Sequence, residues 1–380
     1  MAERTNTPKS TAPQLPTSGP QSLSSSATVP APPNGQKHIV LYLGDGADFS
    51  KDIYAQFNDK FEIAHPELKD RQPEAFKRAL KGKKWGDFSA IFRPAWGSGG
   101  EMGDWNAEII DLLPNTVRVF ASAGAGFDWA DVKLLAQKNI AFYNSGSAAA
   151  GPVADFALAL IIGTFRALPR CIASEATTPD DFQASHKGVT SLSHDLRNQV
   201  LGIVGFGKIG QEIAKRSLAF GMKNHYWNRT RKSADDEAKF QVKYCDTRES
   251  LIRGADCVVL CVPGSLGEII NAESLQWFKQ GGRLVNVGRG NLVNEDALAA
   301  ALHNEKLSCV ALDVHKDKPN ISAKLAKFSK TRAILTCHNA GGTVESHAGF
   351  EKVCVDNTLA ALVGSPFEPV TPPANQKWLK

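Results

Sequence analysis

The sequence predicts an α/β protein whose parallel sheet is wound by helices on both faces. Three features lead there. Short apolar runs rich in β-branched and aromatic residues recur between residues 38 and 336. Segments with helical spacing separate them, and that alternation calls for crossover connections and parallel strands. Glycine clusters close several of the runs, as at Gly44-Asp45-Gly46, Gly124-Ala125-Gly126 and Gly205-Phe206-Gly207. With 380 residues the chain has room for two domains.

In order, residues 38–43 read as a strand, and 53–80 mainly as helix with a break at Pro66. Residues 89–92 form a second strand, followed by the loop RPAWGSGGEMGDW. A short helix over 107–113 stops at Pro114. A third strand covers 117–121, a helix 131–138 and a fourth strand 140–143. A small, polar stretch then leads into a long helix, 152–168. Polar residues 177–195 read as a loop. Further strands fall at 241–244, 257–261, 282–287, 308–312 and 333–336. Asn294 N-caps a helix over 295–303. A terminal helix, 344–363, ends at Gly364.

Residues 199–231, QVLGIVGFGKIGQEIAKRSLAFGMKNHYWNRTR, carry the most chemistry. An apolar strand is followed at once by Gly205, Gly207 and Gly210 in the spacing G-x-G-x-x-G. A helix then starts, with Ile213, Ala214 and Leu218 on one face, and a second strand closes the unit at 225–227. This order is what a dinucleotide site requires. Gly205 permits a tight turn, Gly207 lets backbone approach the pyrophosphate, and Gly210 allows close helix–strand packing. An acid usually ends the second strand of an NAD site. Here Asn228, Arg229, Thr230 and Arg231 stand there, with no carboxylate to repel a 2′-phosphate and two guanidiniums to bind it. That favours NADP(H), with NAD(H) as the alternative. The same arginines also fit an ordinary solvated basic turn.

The formal charge of +5 is small and there is no long basic block, so nothing argues for a nucleic-acid partner. No run of about 18 apolar residues predicts a membrane span. Residues 1–36, rich in Ser, Thr and Pro, cannot bury enough surface to order themselves and read as a disordered tail. They lack a secretion signal's apolar core, so the expected location is cytoplasmic. Seven cysteines without a C-x-x-C fit free thiols in a reducing compartment, and no metal site is expected. Cys257 and Cys261 read as buried packing. Cys337 stands beside His338 and reads as accessible.

Six segments occur in one order: ASAGAGFD, NSGSAAAGPVAD, LGIVGFGKIG, LVNVGRGNLVNEDAL, ALDV and TCHNAGGT. On these the chain, over about 38–367, resembles the D-isomer-specific 2-hydroxyacid dehydrogenases, and Asn228-Arg229 resembles their NADP-preferring branch, the glyoxylate, hydroxypyruvate and bulky 2-oxo acid reductases. The resemblance implies two doubly wound parallel-sheet lobes: a flavodoxin-like substrate lobe, 37–147, completed by helix 345–367, and a Rossmann nucleotide lobe, 148–344, with a tail at 368–380. It implies hydride transfer between a nicotinamide and the C2 of a 2-oxo or 2-hydroxy acid, and a homodimer.

It also implies roles for residues. Arg289 grips the substrate carboxylate and polarises the carbonyl. His338 carries the proton. Backbone at Ala123, Gly124 and Ala125 holds the carboxylate's other side. Lys208, Ile209, Val262, Pro263, Val287, Asp313, His338 and Gly341 contact the cofactor; for Asp313 a capping role fits as well. Trp96 and Trp105 either wall the pocket or belong to the core. The family's glutamate, which pairs with the histidine, is replaced: ALDVHKDKP puts Lys318 at its position. A cation there lowers the histidine's pKa. Asp317 can swing in as a substitute, or Lys318 itself can bind carboxylate or give up a proton. The loop CVPGSLGEIIN is also shorter than the family's. The leading reading is a 2-oxo acid reductase. The alternative is an NADP(H)-binding regulatory or sensor protein with little turnover.

Overall fold

A computed structural model describes residues 35–45, 51–93, 100–173, 178–364 and 371–379. The first part of the chain runs β1 (Ile39–Tyr42), α1 (Lys51–Lys60), β2 (Glu62–Ala64), α2 (Pro73–Lys81), β3 (Ala90–Arg93), α3 (Ala107–Ile110), β4 (Val119–Ser122), α4 (Val132–Gln137) and β5 (Ala141–Asn144). Its five strands are all parallel, in the order β2-β1-β3-β4-β5. That is the flavodoxin-like order.

The second part runs α5 (Ala150–Phe165), α6 (Leu168–Ala173), α7 (Pro179–Thr190), β6 (Val200–Val204), α8 (Lys208–Ala219), β7 (Lys223–Trp227), α9 (Ala234–Phe240), β8 (Val242–Tyr244), α10 (Arg248–Gly254) and β9 (Cys257–Leu260). It continues with α11 (Ala272–Trp277), β10 (Gly282–Asn286), α12 (Glu295–His303), β11 (Leu307–Leu312), α13 (Ala323–Ala326), β12 (Ala333–Leu335) and α14 (Val344–Leu362). The seven parallel strands are ordered β12-β11-β10-β9-β6-β7-β8. Chain order reverses between β6 and β9, which is the switch point of a Rossmann sheet.

Burial explains why these segments hold their form. Every residue of β9 and of β10 is buried, as a central parallel strand covered on both faces must be. One apolar cluster, with Ile161, Ile203 and Ile213, covers one face of the larger sheet, and another, with Leu251, Leu284 and Leu298, covers the other. The smaller sheet is sandwiched in the same way. Cys354, Val355 and Leu359 of α14 belong to its second cluster, so the terminal helix packs on the first lobe. Local signals set the helix ends. The Asn294 side chain accepts from Ala297 N, with Glu295 and Asp296 in the first turn of α12.

Three stretches differ from the sequence reading. Glu62–Ala64, inside the region read mainly as helix, is an edge strand in register with β1. Three residues joined by backbone ladder bonds leave almost no side-chain period to detect. The 177–195 loop contains α7, opened by Thr178, whose side chain accepts from Asp181 N, and by Pro179. No residue of α7 is buried, so no core packing marks it in the sequence pattern. Residues 371–379, assigned to a tail, dock on the first lobe through Asn375. That side chain is fully buried. It accepts from Phe142 N at 2.9 Å and donates to Ile140 O at 2.9 Å and Val132 O at 3.1 Å. Residues 1–34 lie outside the described residues. No helix among the described residues is long and apolar enough to cross a membrane.

Asn375→Ala orphans the buried Phe142 N–H and two carbonyls. It is expected to lower stability by about 2 kcal/mol or more, read from urea unfolding with an unchanged slope.

Candidate active site

The glycine turn leaves β6 at the switch point. Gly205 has φ +98°, and a Cβ there would fall 2.4 Å from Val262 Cγ1 and 2.9 Å from Cys261 O. A Cβ on Gly210 would meet Gly205 O at 2.2 Å, so only glycine lets α8 start this close to the strand. A Cβ on Gly207 would meet open space, and Gly207 caps α8 with no side-chain bond. The first amides of α8, from Lys208 and Ile209, therefore open on free space with the helix's positive end. Those features fit a pyrophosphate.

At the end of β7, Asn228 ties the turn together: Oδ1 accepts from Phe206 N at 3.4 Å and Nδ2 donates to Thr230 O at 2.9 Å. Arg229 is exposed. Arg231 is committed elsewhere. Its guanidinium donates twice to Glu237, both at 2.8 Å, and lies over the Tyr244 ring. The bond from Arg231 and that from Tyr226 hold the Glu237 carboxyl down at about 2. Of the two guanidiniums expected for a 2′-phosphate, one is thus engaged by a carboxylate ten residues beyond the strand.

The substrate side is built from strand ends of both lobes. Gly124, Ala125, Ile209, Arg289, Asp313 and His338 line one cleft, with Val287 and Gly341 on its wall. Arg93, Asp128, Trp129, Asn291 and Lys318 form its mouth. Arg289 follows β10 and crosses to the other lobe. Its Nε donates to Asp128 Oδ2 at 2.8 Å, and its Nη1 to Gly288 O at 2.7 Å. A Cβ on Gly126 would lie 1.2 Å from Arg289 Nη2, so that glycine gives the guanidinium its space.

Of the three amides expected to hold a carboxylate, two are already bonded. Ala123 N donates to Arg93 O at 2.8 Å and Gly124 N to Ser145 Oγ at 2.9 Å. Both belong to the sheet's own ladder and loop, which leaves Ala125 facing the cleft.

His338 follows β12 with φ +61°, a left-handed backbone fixed by its neighbour Asp313. Asp313 is 1% exposed. Its carboxylate accepts from Thr336 Oγ1 at 2.7 Å, Asn339 N at 2.9 Å and Ala340 N at 2.9 Å, bracketing the histidine. So Asp313 lines the cleft and anchors the loop at once. Lys318 Nζ lies 3.3 Å from His338 Nδ1. Asp317 is exposed, and the reach to the ring comes from Lys318 instead. Burial first, then the Lys318 charge, with Arg289 and His315 adding and Asp313 opposing, pushes His338 down to about 4. Burial and then Arg289 hold the Lys318 amine below its ordinary value.

Val262 is buried at the end of β9 against the glycine turn, with Pro263 next to it. Cys337 is exposed at the mouth. Cys257 is buried and Cys261 donates to Gly205 O at 2.9 Å. Trp105 does not wall the pocket: it is 1% exposed and packs edge-on against Phe120. Trp96 lies outside the described residues. Sequence reading missed Arg93 and Asp128. Asp128 stands inside the quoted ASAGAGFD and was visible as an acid beside a glycine turn. Arg93, at the end of β3 and over the Trp129 ring at 4.5 Å, left no signal beyond its place.

Fold, glycine cradle and cleft define a two-lobed nucleotide-dependent oxidoreductase. Residues 158–340 match the model of the D-isomer specific 2-hydroxyacid dehydrogenase, NAD binding domain. The chain belongs to that family. It is 32% identical over 291 residues to 4-methyl-2-oxopentanoate reductase A of Aspergillus oryzae, covering 76% of this chain and 85% of that one. The holo form of Rhodotorula graminis D-mandelate dehydrogenase superposes with a TM-score of 0.84 at 36% identity, over 89% of this chain and 98% of that one. An NADPH-dependent glyoxylate/hydroxypyruvate reductase from Sinorhizobium meliloti, bound to NADP and malonate, gives 0.70 at 26% identity, over 91% and 99%.

The His338 ring is expected to titrate with a midpoint near pH 4. Histidine NMR resonances assigned by a His338→Gln variant measure this, and a midpoint near 6.5 would contradict the geometry. Gly205→Ala is expected to abolish dinucleotide binding in calorimetry, because its Cβ forces the turn off the Val262 loop.

Proposed function

We propose that the chain is an NADP(H)-preferring reductase of 2-oxo acids, with Arg289 holding the carboxylate and carbonyl and His338 moving the proton. The family sets the broader activity: NAD(P)-dependent interconversion of a 2-oxo acid and a D-2-hydroxy acid. The observation that carries the assignment of residues is the meeting of Arg289 and His338 across one cleft, at the mouth of the glycine cradle.

When bound, the nicotinamide supplies or accepts the hydride at C2. The protein does the rest. With Nε and Nη1 bonded to Asp128 and Gly288, Arg289 offers its remaining edge to the carboxylate and the C2 oxygen. The half-buried ring of His338 donates to the oxygen as negative charge develops there. The bond between Arg289 and Asp128 joins the two lobes, so closure around a substrate both positions the guanidinium and excludes water.

Arg229, exposed at the end of β7, supports the NADP(H) preference, as does the lack of a carboxylate at Asn228. Relatives acting on 4-methyl-2-oxopentanoate and on mandelate support a branched or aromatic acid as substrate. Relatives described as reductases and dehydrogenases speak against the low-turnover reading. The active form is a homodimer: Leu168, Ile172, Phe182 and Leu192 are large apolar side chains exposed along α6, α7 and the turn after them, a face suited to a second copy. Seven free thiols fit a reducing cytoplasm.

NADPH oxidation with a panel from glyoxylate and hydroxypyruvate to 4-methyl-2-oxopentanoate and benzoylformate tests the reading. Turnover is expected, highest with the bulky acids; none with any acid would overturn it. Arg229→Ala should cut the NADPH-over-NADH affinity ratio about 10- to 100-fold, the loss of one charged contact of about 1.5–3 kcal/mol. Arg231→Ala alone should change it far less.

A further inference from the structure

We propose that Lys318 is the proton store behind His338: its ammonium donates to Nδ1, fixes the ring's own proton on Nε2, and hands a proton to Nδ1 as Nε2 protonates the substrate oxygen. This rests on the reductase reading above.

An ammonium has donors and no acceptor. At 3.3 Å from Nζ, Nδ1 must therefore be the acceptor, and the ring is neutral with its proton on Nε2. A carboxylate in that place would do the reverse, charging the ring. The other groups around His338 do not restore one. Asp313 faces the ring from the end of β11, but both its oxygens accept from Thr336, Asn339 and Ala340. Arg289, across the cleft after β10, is a second cation, itself paired to Asp128. His315 Nε2 contacts Thr336 O at 2.9 Å, and His347 lines the cleft from α14. Cys337 precedes the ring at the mouth. A histidine so surrounded cannot hold a proton in reserve at neutral pH. The lysine beside it can, and partial desolvation against the ring, with the nearby guanidinium, eases its loss of one.

In reduction, the hydride forms the C2–H bond and the carbonyl π pair moves to oxygen. The O–H bond forms as Nε2–H breaks, and Nδ1–H forms as Nζ–H breaks. The ring is left as the Nδ1–H tautomer beside a neutral amine; Nδ1 then returns its proton to Nζ as Nε2 takes one from water at the open mouth, which restores the resting pair. Oxidation reverses each step and requires the neutral amine. Reduction therefore fades as pH rises through the lysine's pKa, and oxidation gains there.

The test uses the full-length protein, its Lys318→Met, Lys318→Gln and Lys318→Glu variants, and the best 2-oxo acid with NADPH. The neutral variants should lose kcat for reduction about 100-fold, with KM and NADPH affinity within about twofold. The proton inventory in mixed H2O/D2O should fall from two protons to one. Lys318→Glu should regain kcat with its alkaline limb moved toward neutral pH. Nitrogen NMR of the wild-type ring should show the Nε2–H tautomer at pH 7. Unchanged kcat and pH profile in both neutral variants, or an Nδ1–H ring in the wild type, would overturn the relay and leave the reductase standing. No wild-type turnover with NADPH still bound would overturn both.

Discussion

Every strand in both sheets is parallel, and the site depends on that constraint. Parallel strands need crossovers, so within a lobe all carboxyl ends point the same way. The glycine turn after β6, Arg289 after β10, Asp313 beyond β11 and His338 beyond β12 thus come from four strand ends of one sheet. Ala125 and Asp128 come from the loop after β4 in the other. The chemistry lies where the two rows of ends face each other. Residues more than 200 positions apart, such as Ala125 and His338, become neighbours in one cleft.

Within that frame a buried carboxylate sets the finest detail. Asp313 accepts from three groups around His338 and so holds a left-handed residue in place. Leaving such a carboxylate without partners would be costly, and each donor it takes removes one acceptor position from the ring's reach. Asp313 steadies the histidine through the loop that carries it. Lys318 meets the ring at Nδ1, and the ring's charge state follows from that contact together with desolvation.

Much of the fold was legible because it is written in local patterns. β-branched runs, the cap at Asn294 and the three glycines of the turn each report a nearby constraint. The edge strand Glu62–Ala64 and the helix Pro179–Thr190 were not legible, because neither packs a buried apolar face on the core. Trp105 reads the same as a pocket wall or as core until its neighbours are known. Arg231 looked available for a phosphate because its partner, Glu237, lies on the following helix. Ala123 and Gly124 looked available for a carboxylate because their acceptors, Arg93 O and Ser145 Oγ, come from elsewhere in the lobe.

By itself the sequence determined the α/β class and the glycine turn, which are matters of residue type and spacing along the chain; its resemblance to the family drew attention to Lys318. Only the tertiary structure decided which polar groups remain free to act. Bonding partners are assigned by proximity in space, so packing alone committed Arg231 to Glu237, joined Arg289 to Asp128 across the lobes, and brought the Lys318 ammonium to Nδ1 of His338.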